Sequence, residues 1–302
     1  MRRAHGSSPA HRQRGVALIL VLWACALLTI MLGGYAVLAR TEGTQARYQF
    51  NQVRARYAAE AGLARAVAAL NDPDRQARWR SDGQPYRFHF DGADIQVRIT
   101  SEDGKVDLNT ASPQVLENLI ASVGAKPDAA HALAAAIADW RDTDDDVRPA
   151  GAEADRYEQE GRDYGPRNGP FASLQELQLV LGMDASLYRQ LEPLLTVWSG
   201  RNMPDPAYAP PGVLAALPGM DASSAAEYVR RRHRVDLSSH LPDLPSGMQV
   251  FAGSPGSTHS IVSTATLADG THAALHATIR KRGNQRNGLP YVVLQWREGT
   301  TQ

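Results

Sequence analysis

The feature that most constrains this chain is an apolar segment near its N-terminus. Residues 16–39 carry no charged side chain, and they directly follow a basic stretch that contains Arg2, Arg3, Arg12 and Arg14. A helix over this segment is about long enough to cross the roughly 30 Å hydrocarbon core of a membrane. Basic residues that flank a membrane span stay on the cytoplasmic side, so we expect the bulk of the chain on the opposite side.

The position of a small residue predicts how this segment is processed. In an ordinary secretory signal the cleavage site follows the apolar region, whereas here Gly15 precedes it. Cleavage after Gly15 would make Val16 the first residue and retain the apolar helix. This arrangement resembles a type IV prepilin leader, which implies cleavage and methylation by the prepilin peptidase, a single pass through the bacterial inner membrane, and a periplasmic location for the bulk of the chain. The alternative is a signal anchor that is not cleaved.

Leu20 departs from the pattern of most pilin-like proteins, which carry a Glu five residues after the cleavage site. A carboxylate at membrane depth costs several kcal/mol unless it is paired. A subunit at the end of a filament has no further subunit whose terminal amine could pair with that carboxylate. Leu20 therefore favours a terminal subunit, although leucine is also an ordinary residue of an apolar helix.

Composition limits the classes of function. The formal net charge is zero, which argues against a protein whose main task is to bind polyanions, and no nucleic-acid partner is expected. The one cysteine, Cys25, lies inside the apolar segment, so no internal disulfide can form. Stability outside the membrane must come from burial or from a bound metal.

Periodicity predicts a long helix followed by strands. The helix is expected to continue to Leu70 and to end at residues 71–73. On one face recur Val53, Tyr57, Glu60 with Ala61, Ala64, Val67 and Ala68, and the small residues among them suit close packing on a sheet. Alternating apolar residues predict two strands within 86–106, joined by a turn at Asp91 and Gly92. Three further strands are predicted at 260–267, 272–280 and 291–297, with a turn around 283–288.

The resulting fold class is α+β, with a pilin-like long N-terminal helix on an antiparallel sheet and a large all-α domain inserted in that sheet. The predicted boundaries are a leader over 1–15, a membrane helix over 16–39, its periplasmic part over 40–72, a first part of the α/β domain over 80–106, the inserted domain over 107–241, and the remaining strands over 242–302.

The inserted segment contains a repeated unit. Three times a short helix, a glycine turn and a second helix are predicted, starting near Ser112, Ser173 and Pro211. This is the helix-hairpin-helix (SAM-like) arrangement, which supports a rival function as a membrane-anchored DNA-binding protein. Two of the three turns read Gly-Met-Asp, and an aspartate beside the turn would repel phosphate by roughly 1 kcal/mol or more. A packing scaffold is therefore favoured over nucleic-acid binding.

An acidic segment carries the strongest chemical signal. Ten acidic residues and four arginines lie between Asp139 and Asp163, and charges this dense repel one another unless a cation lies among them. Hard oxygen ligands without His or Cys point to calcium, which takes six to eight oxygens in a flexible loop. The spacing does not match an EF-hand, and a solvated acidic loop is an equally weighted alternative.

These motifs together resemble the type II secretion protein K family, the large minor pseudopilins. The resemblance rests on Asp-Trp-x-Asp-x-Asp at 139–144, on Gly-Ala-Glu-x-x-x-Tyr at 151–157, on the segment 168–177, and on the prepilin-like leader without its Glu. It covers nearly the whole chain. A related role as a minor pilin of a type IV pilus stays open.

The resemblance implies a site, a location and partners. The implied calcium ligands are Asp139, Asp142, Asp144 and Glu153, followed by Asp145, Asp146 and Asp155. Many relatives read Gly-Ala-Glu-Asp, where this chain has Ala154, so one calcium site is expected and a second is in doubt. The implied location is the tip of the periplasmic pseudopilus, with the minor pseudopilins I and J as partners. A head enlarged by over a hundred inserted residues would clash below the tip, which agrees with Leu20.

No catalytic motif is evident. The sequence contains no Gly-x-Ser-x-Gly elbow, no cysteine outside the apolar segment and no phosphate loop. His272 and His276 fall in a predicted strand, where metal binding is unlikely from spacing alone. The chain is therefore interpreted as a substrate of the prepilin peptidase and not as an enzyme.

Overall fold

The computed structural model describes residues 14–74, 76–235, 241–247, 249–250, 256–282 and 290–299. The predicted leader up to residue 13 and the predicted turn around 283–288 lie outside these ranges. The chain divides into two compact units, Met1–Arg54 and Ala55–Gln302.

Helix α1 runs over Arg14–Leu70, as the sequence predicts. Its last turn is closed by Asn71, whose Nδ2 donates to the Val67 carbonyl at 2.9 Å, and Pro73 follows. The large apolar side chains between Leu18 and Leu38 are exposed, Leu20 to 65%. Of the described helices, this one is long and apolar enough to cross a membrane.

The first two strands form a hairpin. Strands β1 (Asp82–Phe90) and β2 (Ala93–Ser101) pair antiparallel. The turn residues Asp91 and Gly92 have φ angles of 47° and 76°, and a two-residue hairpin turn of this kind requires positive φ at both central positions. The predicted turn and both predicted strands are therefore confirmed.

The segment between β2 and the next strand of the main sheet is largely helical. In chain order its elements are β3 (Val106–Asp107), α2 (Pro113–Ser122), α3 (Pro127–Arg141), α4 (Ala154–Gln159), α5 (Ala185–Leu191), β4 (Leu195–Thr196), α6 (Pro211–Leu214) and α7 (Ala222–Arg234). The short strands β3 and β4 pair in parallel. These elements share a hydrophobic core of their own, separate from that of the main sheet.

The chain then returns to the main sheet. Strands β5 (Thr258–Leu267), β6 (His272–Lys281) and β7 (Tyr291–Gly299) follow, and the strand order is β1-β2-β5-β6-β7. All neighbouring pairs are antiparallel. Because β2 pairs directly with β5, the helical segment is inserted between two adjacent strands. The α+β fold class with a long helix, an antiparallel sheet and a helical domain is confirmed.

The three predicted repeats share a glycine turn but differ in their helices. Gly124, Gly182 and Gly219 all have positive φ. The first and third repeats have two α-helices each, whereas the second starts with a 3₁₀ turn over Leu174–Leu179. The helix-hairpin-helix interpretation stays a prediction.

The aspartates of the Gly-Met-Asp turns are N-caps. The Asp184 carboxylate accepts the backbone N–H groups of Ser186 and Leu187 at 2.7 and 2.8 Å. Asp221 likewise accepts from the Ser224 N–H at 2.7 Å. A carboxylate at a helix N-terminus occupies the position that a bound phosphate would take.

The face of α1 that packs on the sheet differs from the predicted one. Val53 and Tyr57 are 49% and 64% exposed, and Ala64 and Ala68 are exposed as well; of the predicted positions, Val67 is buried. The buried face consists mainly of Ala55, Ala58, Ala59, Leu63 and Ala66. These small residues let the helix backbone approach the sheet closely, so side-chain size and not apolar character alone selects the face.

Gly62 marks the closest approach of helix and sheet. A Cβ at this position would lie 2.9 Å from Ile95 Cγ2 and closer still to Ser263 Oγ. We expect Gly62→Ala to lower the free energy of unfolding by about 1–3 kcal/mol, because overpacking forces the helix away from the strands. Thermal unfolding of the full-length chain in detergent, followed by circular dichroism, measures this loss. Gly43→Ala is the matched control, since nothing lies within 4 Å of that position; an equal loss in both variants would contradict the prediction.

An arginine ties the end of the inserted segment to the first strand. Arg232 is fully buried in α7, and its guanidinium donates to the carbonyls of Pro206, Ala209 and Asp82 at 2.8, 2.9 and 3.2 Å. Burial lowers the pKa of Arg232. Arg80 Nη2 donates to the Arg232 carbonyl at 3.0 Å, and its Nε pairs with the Asp82 carboxylate at 2.9 Å. Charge and hydrogen bonding thus join β1 to α7.

Candidate metal centre

The acidic loop is held between two helices by aromatic packing. Helix α3 ends at Arg141, and α4 starts after Glu153. The Trp140 ring lies 5.9 Å from that of Tyr157 and 6.1 Å from that of Phe171, and all three side chains are buried. Packing of Trp140 on Tyr157 therefore holds the end of α3 close to α4, and so holds both ends of the acidic loop.

Asp139 lies at the base of the loop. Its side chain is fully buried, and its Oδ2 accepts the backbone N–H of Ala152 at 2.9 Å. A Cβ on Gly151 would lie 2.9 Å from Asp139 Cγ. Glycine is therefore required at position 151, because any side chain there would collide with the Asp139 carboxylate.

Arg148 lies among the carboxylates. Its Nη1 contacts Asp139 Oδ1 at 2.7 Å and also Asp142 Oδ2. These hydrogen bonds raise the pKa of Arg148 above its ordinary value. The Arg148 guanidinium therefore neutralises part of the negative charge of the acidic loop.

Glu153 has no such partner. It is the N-cap residue of α4, yet its side chain makes no capping hydrogen bond. The residue is 8% exposed, and both carboxylate oxygens are buried without a hydrogen-bond partner. Burial, and then the negative charges of Asp139, Asp142, Asp145 and Asp144, raise its pKa to about 7. One guanidinium is therefore too little positive charge for this group of carboxylates.

A second loop contributes an amide to the site. Asn168 has a φ of 50°, and its Nδ2 donates to Asp145 Oδ1 at 2.7 Å. Its Oδ1 is buried without a partner, as is Asp142 Oδ1. Together with the Glu153 oxygens, these atoms are hard donors without a hydrogen-bond partner.

The structure groups some of the predicted ligands and separates others. The negative charges of Asp139, Asp142, Asp145 and Asp144 act on Glu153. Asp139 and Glu153 are buried, Asp142 is half-buried, and the other predicted ligands, Asp144, Asp145, Asp146 and Asp155, are exposed. Asp146 contributes its backbone N–H to Asp144 Oδ1 at 3.1 Å, and Asp155 lies in the first turn of α4.

Sequence reasoning missed two residues of this site, Arg148 and Asn168. The arginine had a signal, because it is the basic residue in the middle of the acidic run. The Asn168-Gly169 pair signals a turn, but nothing in the sequence brings that turn next to Asp145.

The oxygen atoms of this loop are of the type that calcium binds, but the carboxylates are not grouped as in a metal site. Unpartnered carboxylate and amide oxygens are the ligands that calcium prefers. Among the described residues, no three His, Cys, Asp or Glu side chains are already grouped closely enough to hold a metal ion. Calcium at this site stays a prediction, and Glu153, Asp142 and Asn168 are the residues that would hold it.

The fold as a whole matches a solved structure. A chain of the crystal structure of the GspK-GspI-GspJ complex from the type 2 secretion system of enterotoxigenic Escherichia coli superposes with a TM-score of 0.51 over 87% of this chain and 99% of that chain, at 19% sequence identity. The long helix, the antiparallel sheet and the helical insertion therefore form a fold like that of this solved chain.

Sequence comparisons agree with this likeness. Residues 97–200 match the family model of type II secretion system (T2SS), protein K. A type II secretion system protein K of Klebsiella pneumoniae is 30% identical over 61% of this chain and 62% of its own length, so the match spans less than two thirds of that relative. The protein K of Pseudomonas aeruginosa is 27% identical over 85% of this chain and 86% of its own length. Over these ranges the chain is similar to the type II secretion system protein K family.

Proposed function

We propose that this chain is a minor pseudopilin that caps the tip of the periplasmic pseudopilus in a type II secretion system and helps initiate its assembly. In this role it binds two smaller minor pseudopilins, the I and J components, and takes part in exporting folded proteins across the outer membrane. Helix α1 anchors it in the inner membrane by a single pass before assembly, with the bulk of the chain in the periplasm. The proposed role is structural and includes no catalytic step.

The observation that carries this proposal is the family match over residues 97–200. These residues start in β2 and extend past β4, so they include α2 to α5 and the whole acidic loop. The match therefore falls on the enlarged head, the part that distinguishes this chain from a small pilin-like subunit.

The size of the head supports a position at the tip. In the sequence, residues 102–257 lie between β2 and β5, which are adjacent strands of the sheet. Subunits within a helical filament repeat every few ångströms, so a head of this size would collide with its neighbours anywhere except at an end. Leu20 agrees, because a terminal subunit needs no carboxylate at that depth.

Calcium has a structural role in this proposal. The ion would neutralise carboxylates that Arg148 leaves unpaired and would fix the loop between α3 and α4. The proposed number is one ion per chain, with the unpartnered oxygens of Glu153 among its ligands.

DNA binding is disfavoured as the main function. The N-termini of α5 and α7 already hold the carboxylates of Asp184 and Asp221, and a phosphate there would meet like charge.

Processing of the N-terminus gives a direct prediction. Expressed together with a prepilin peptidase, the chain is expected to lose residues 1–15 and to carry a methyl group on the amine of Val16, which intact-mass spectrometry detects. Expression without the peptidase is the control and should leave the leader in place. An unprocessed chain in both samples would contradict the pilin-like role and revive the signal-anchor alternative.

A further inference from the structure

Strand β7 is an edge of the main sheet, because it pairs with β6 alone among the described strands. The register shows which of its backbone groups are open. Toward β7, the Arg282 N–H donates to the Pro290 carbonyl at 2.8 Å. Toward β5, the Lys281 N–H donates to the Ser257 carbonyl at 2.7 Å. Successive residues of a strand direct their hydrogen bonds to alternate sides, so the even-numbered residues of β6 bond with β7.

Four residues of β7 therefore direct their backbone groups to the open side of the sheet. They are the residues opposite odd-numbered positions of β6, namely Tyr291, Val293, Trp296 and Glu298. The side chains of Val293 and Trp296 are 43% and 40% exposed. The edge thus presents apolar side chains beside its open N–H and C=O groups.

The opposite edge of the sheet is protected. Phe90 and Ala93 flank the two-residue turn of the first hairpin and pair with each other, and such a pair is hydrogen-bonded. By alternation, the outward positions of β1 are Pro85, Arg87 and His89. A proline without an N–H and charged side chains are devices that keep an edge strand from pairing with another chain. In β7, residues 291–299 include no proline, and its outward positions before Glu298 carry no charge.

A cleft lies alongside β7 on the other face of the sheet. It has a volume of about 610 Å³ and is bordered by Gln295 and Arg297 of β7 and by Glu192 and Trp198 of the inserted segment. At its border, Arg297 Nη1 contacts Glu192 Oε1 at 2.9 Å. The side chains of an added strand would alternate between the two faces. One set would lie beside the exposed apolar residues of β7, and the other set would reach the cleft.

We infer that β7 is a docking edge, to which an extended strand of one of the two smaller minor pseudopilins adds and so lengthens the five-stranded sheet. The inference rests on the proposed function. Only another backbone offers N–H and C=O groups at the spacing of the outward positions, so the occupant is a strand and not a small molecule. A neighbouring subunit is its source, because Arg56 Nη2 of α1 lies 2.7 Å from Glu298 Oε1. A subunit whose own long helix lies along α1 is therefore held beside β7.

Proline at an outward position tests this inference. The full-length chain with an affinity tag is co-expressed with the I and J components of the same secretion system and purified in a non-ionic detergent. Quantitative mass spectrometry then measures how much of each smaller subunit is retained. Val293→Pro removes an outward N–H and leaves the ladder with β6 in place. We expect it to retain at least about tenfold less of one smaller subunit than the wild type, because the added strand loses a hydrogen bond and meets the proline ring.

Two further variants control for position and folding. His89→Pro makes the same change at an outward position of β1 and should retain both subunits at the wild-type level. Val293→Lys keeps the backbone N–H and places a charge on the edge, as natural edge strands do, and it should reduce retention of the same subunit. It replaces Val293→Pro if circular dichroism shows that the proline variant does not fold.

Hydrogen exchange gives a readout that is specific to strand addition. In the free chain the outward amides of β7 should exchange rapidly, because they form no ladder hydrogen bond. In the complex these amides should become protected, whereas the outward amides of β1 should exchange as before.

The outcomes separate the inference from the function on which it rests. Wild-type retention of both subunits by Val293→Pro and Val293→Lys, or unchanged exchange of the outward β7 amides in the complex, would overturn the docking edge and leave the proposed function intact. Failure of the wild-type chain to retain either subunit would overturn the proposed function, and the docking edge with it.

Discussion

In EDTA at pH 8, Glu153→Gln is expected to unfold at a higher temperature than the wild type, and in excess calcium this order is expected to reverse. The reason lies in the two states of the site. Without metal, the Glu153 carboxylate is buried among like charges with no partner, and glutamine removes its charge. In the proposed calcium-bound state the same carboxylate would be a ligand, and glutamine would not replace its charge.

The pH dependence follows from the direction of the pKa shift. The pKa of Glu153 rises from 4.5 in the unfolded chain to about 7 in the folded one, so the folded state binds the proton more tightly. The stability from this group is fully present below pH 4.5 and is lost as the pH rises through about 7, by about 3 kcal/mol in total. Metal-free wild type and Glu153→Gln should therefore have similar stability near pH 4.5 and diverge toward pH 8.

Melting curves at several pH values, in EDTA and in calcium, test this prediction. Glu160→Gln is the matched control, because Glu160 is exposed directly after α4 and pairs with Arg156; its effect should not depend on calcium. Calcium at about a thousand times its dissociation constant should stabilise the wild type by about 4 kcal/mol. The same order of stability with and without calcium would contradict the metal site.

Arg232→Ala is expected to destabilise the chain by about 3–5 kcal/mol, even though Arg232 lies far along the chain from the acidic loop. The substitution removes a fully buried guanidinium and leaves the carbonyls of Pro206, Ala209 and Asp82 without that donor. Breaking a buried charged network by removing one member typically costs this much.

Thermal unfolding of the full-length chain measures the loss, which corresponds to a drop of the melting temperature by about 10 °C for a domain of this size. Arg231→Ala is the control, because the Arg231 side chain, next to Arg232 in the sequence, is exposed. A surface substitution typically changes the free energy of unfolding by about 0.5 kcal/mol or less. Similar drops in the two variants would contradict the role of Arg232 in joining β1 to α7.

The sequence predicted those elements whose signals are local. The end of α1 is marked by Pro73, the β1–β2 turn by Asp91-Gly92, and the strands by alternation, and all of these are confirmed. Separation of β2 and β5 by a long helical segment was predicted because the periodicity changes from two residues to between three and four.

The elements that depend on distant packing were predicted less well. Small residues of α1 were expected to pack on the sheet, but the predicted face included Val53 and Tyr57, which are exposed, whereas the buried face has the small residues around Gly62. The pairing of β3 with β4 was not predicted from the sequence, because a strand of two residues is too short to show alternation. Within the candidate site, the carboxylates were predicted as a group, but the contact of Asn168 with Asp145 joins loops more than twenty residues apart, which no local pattern encodes.

Assembly with two smaller minor pseudopilins at the tip of a pseudopilus is the proposed function of this chain. To test it, the chain is co-expressed with the I and J components of the same secretion system, purified through an affinity tag on this chain, and analysed by size-exclusion chromatography with light scattering. We expect one stable complex with a single copy of each of the three chains. Elution of this chain apart from both smaller pseudopilins would contradict it.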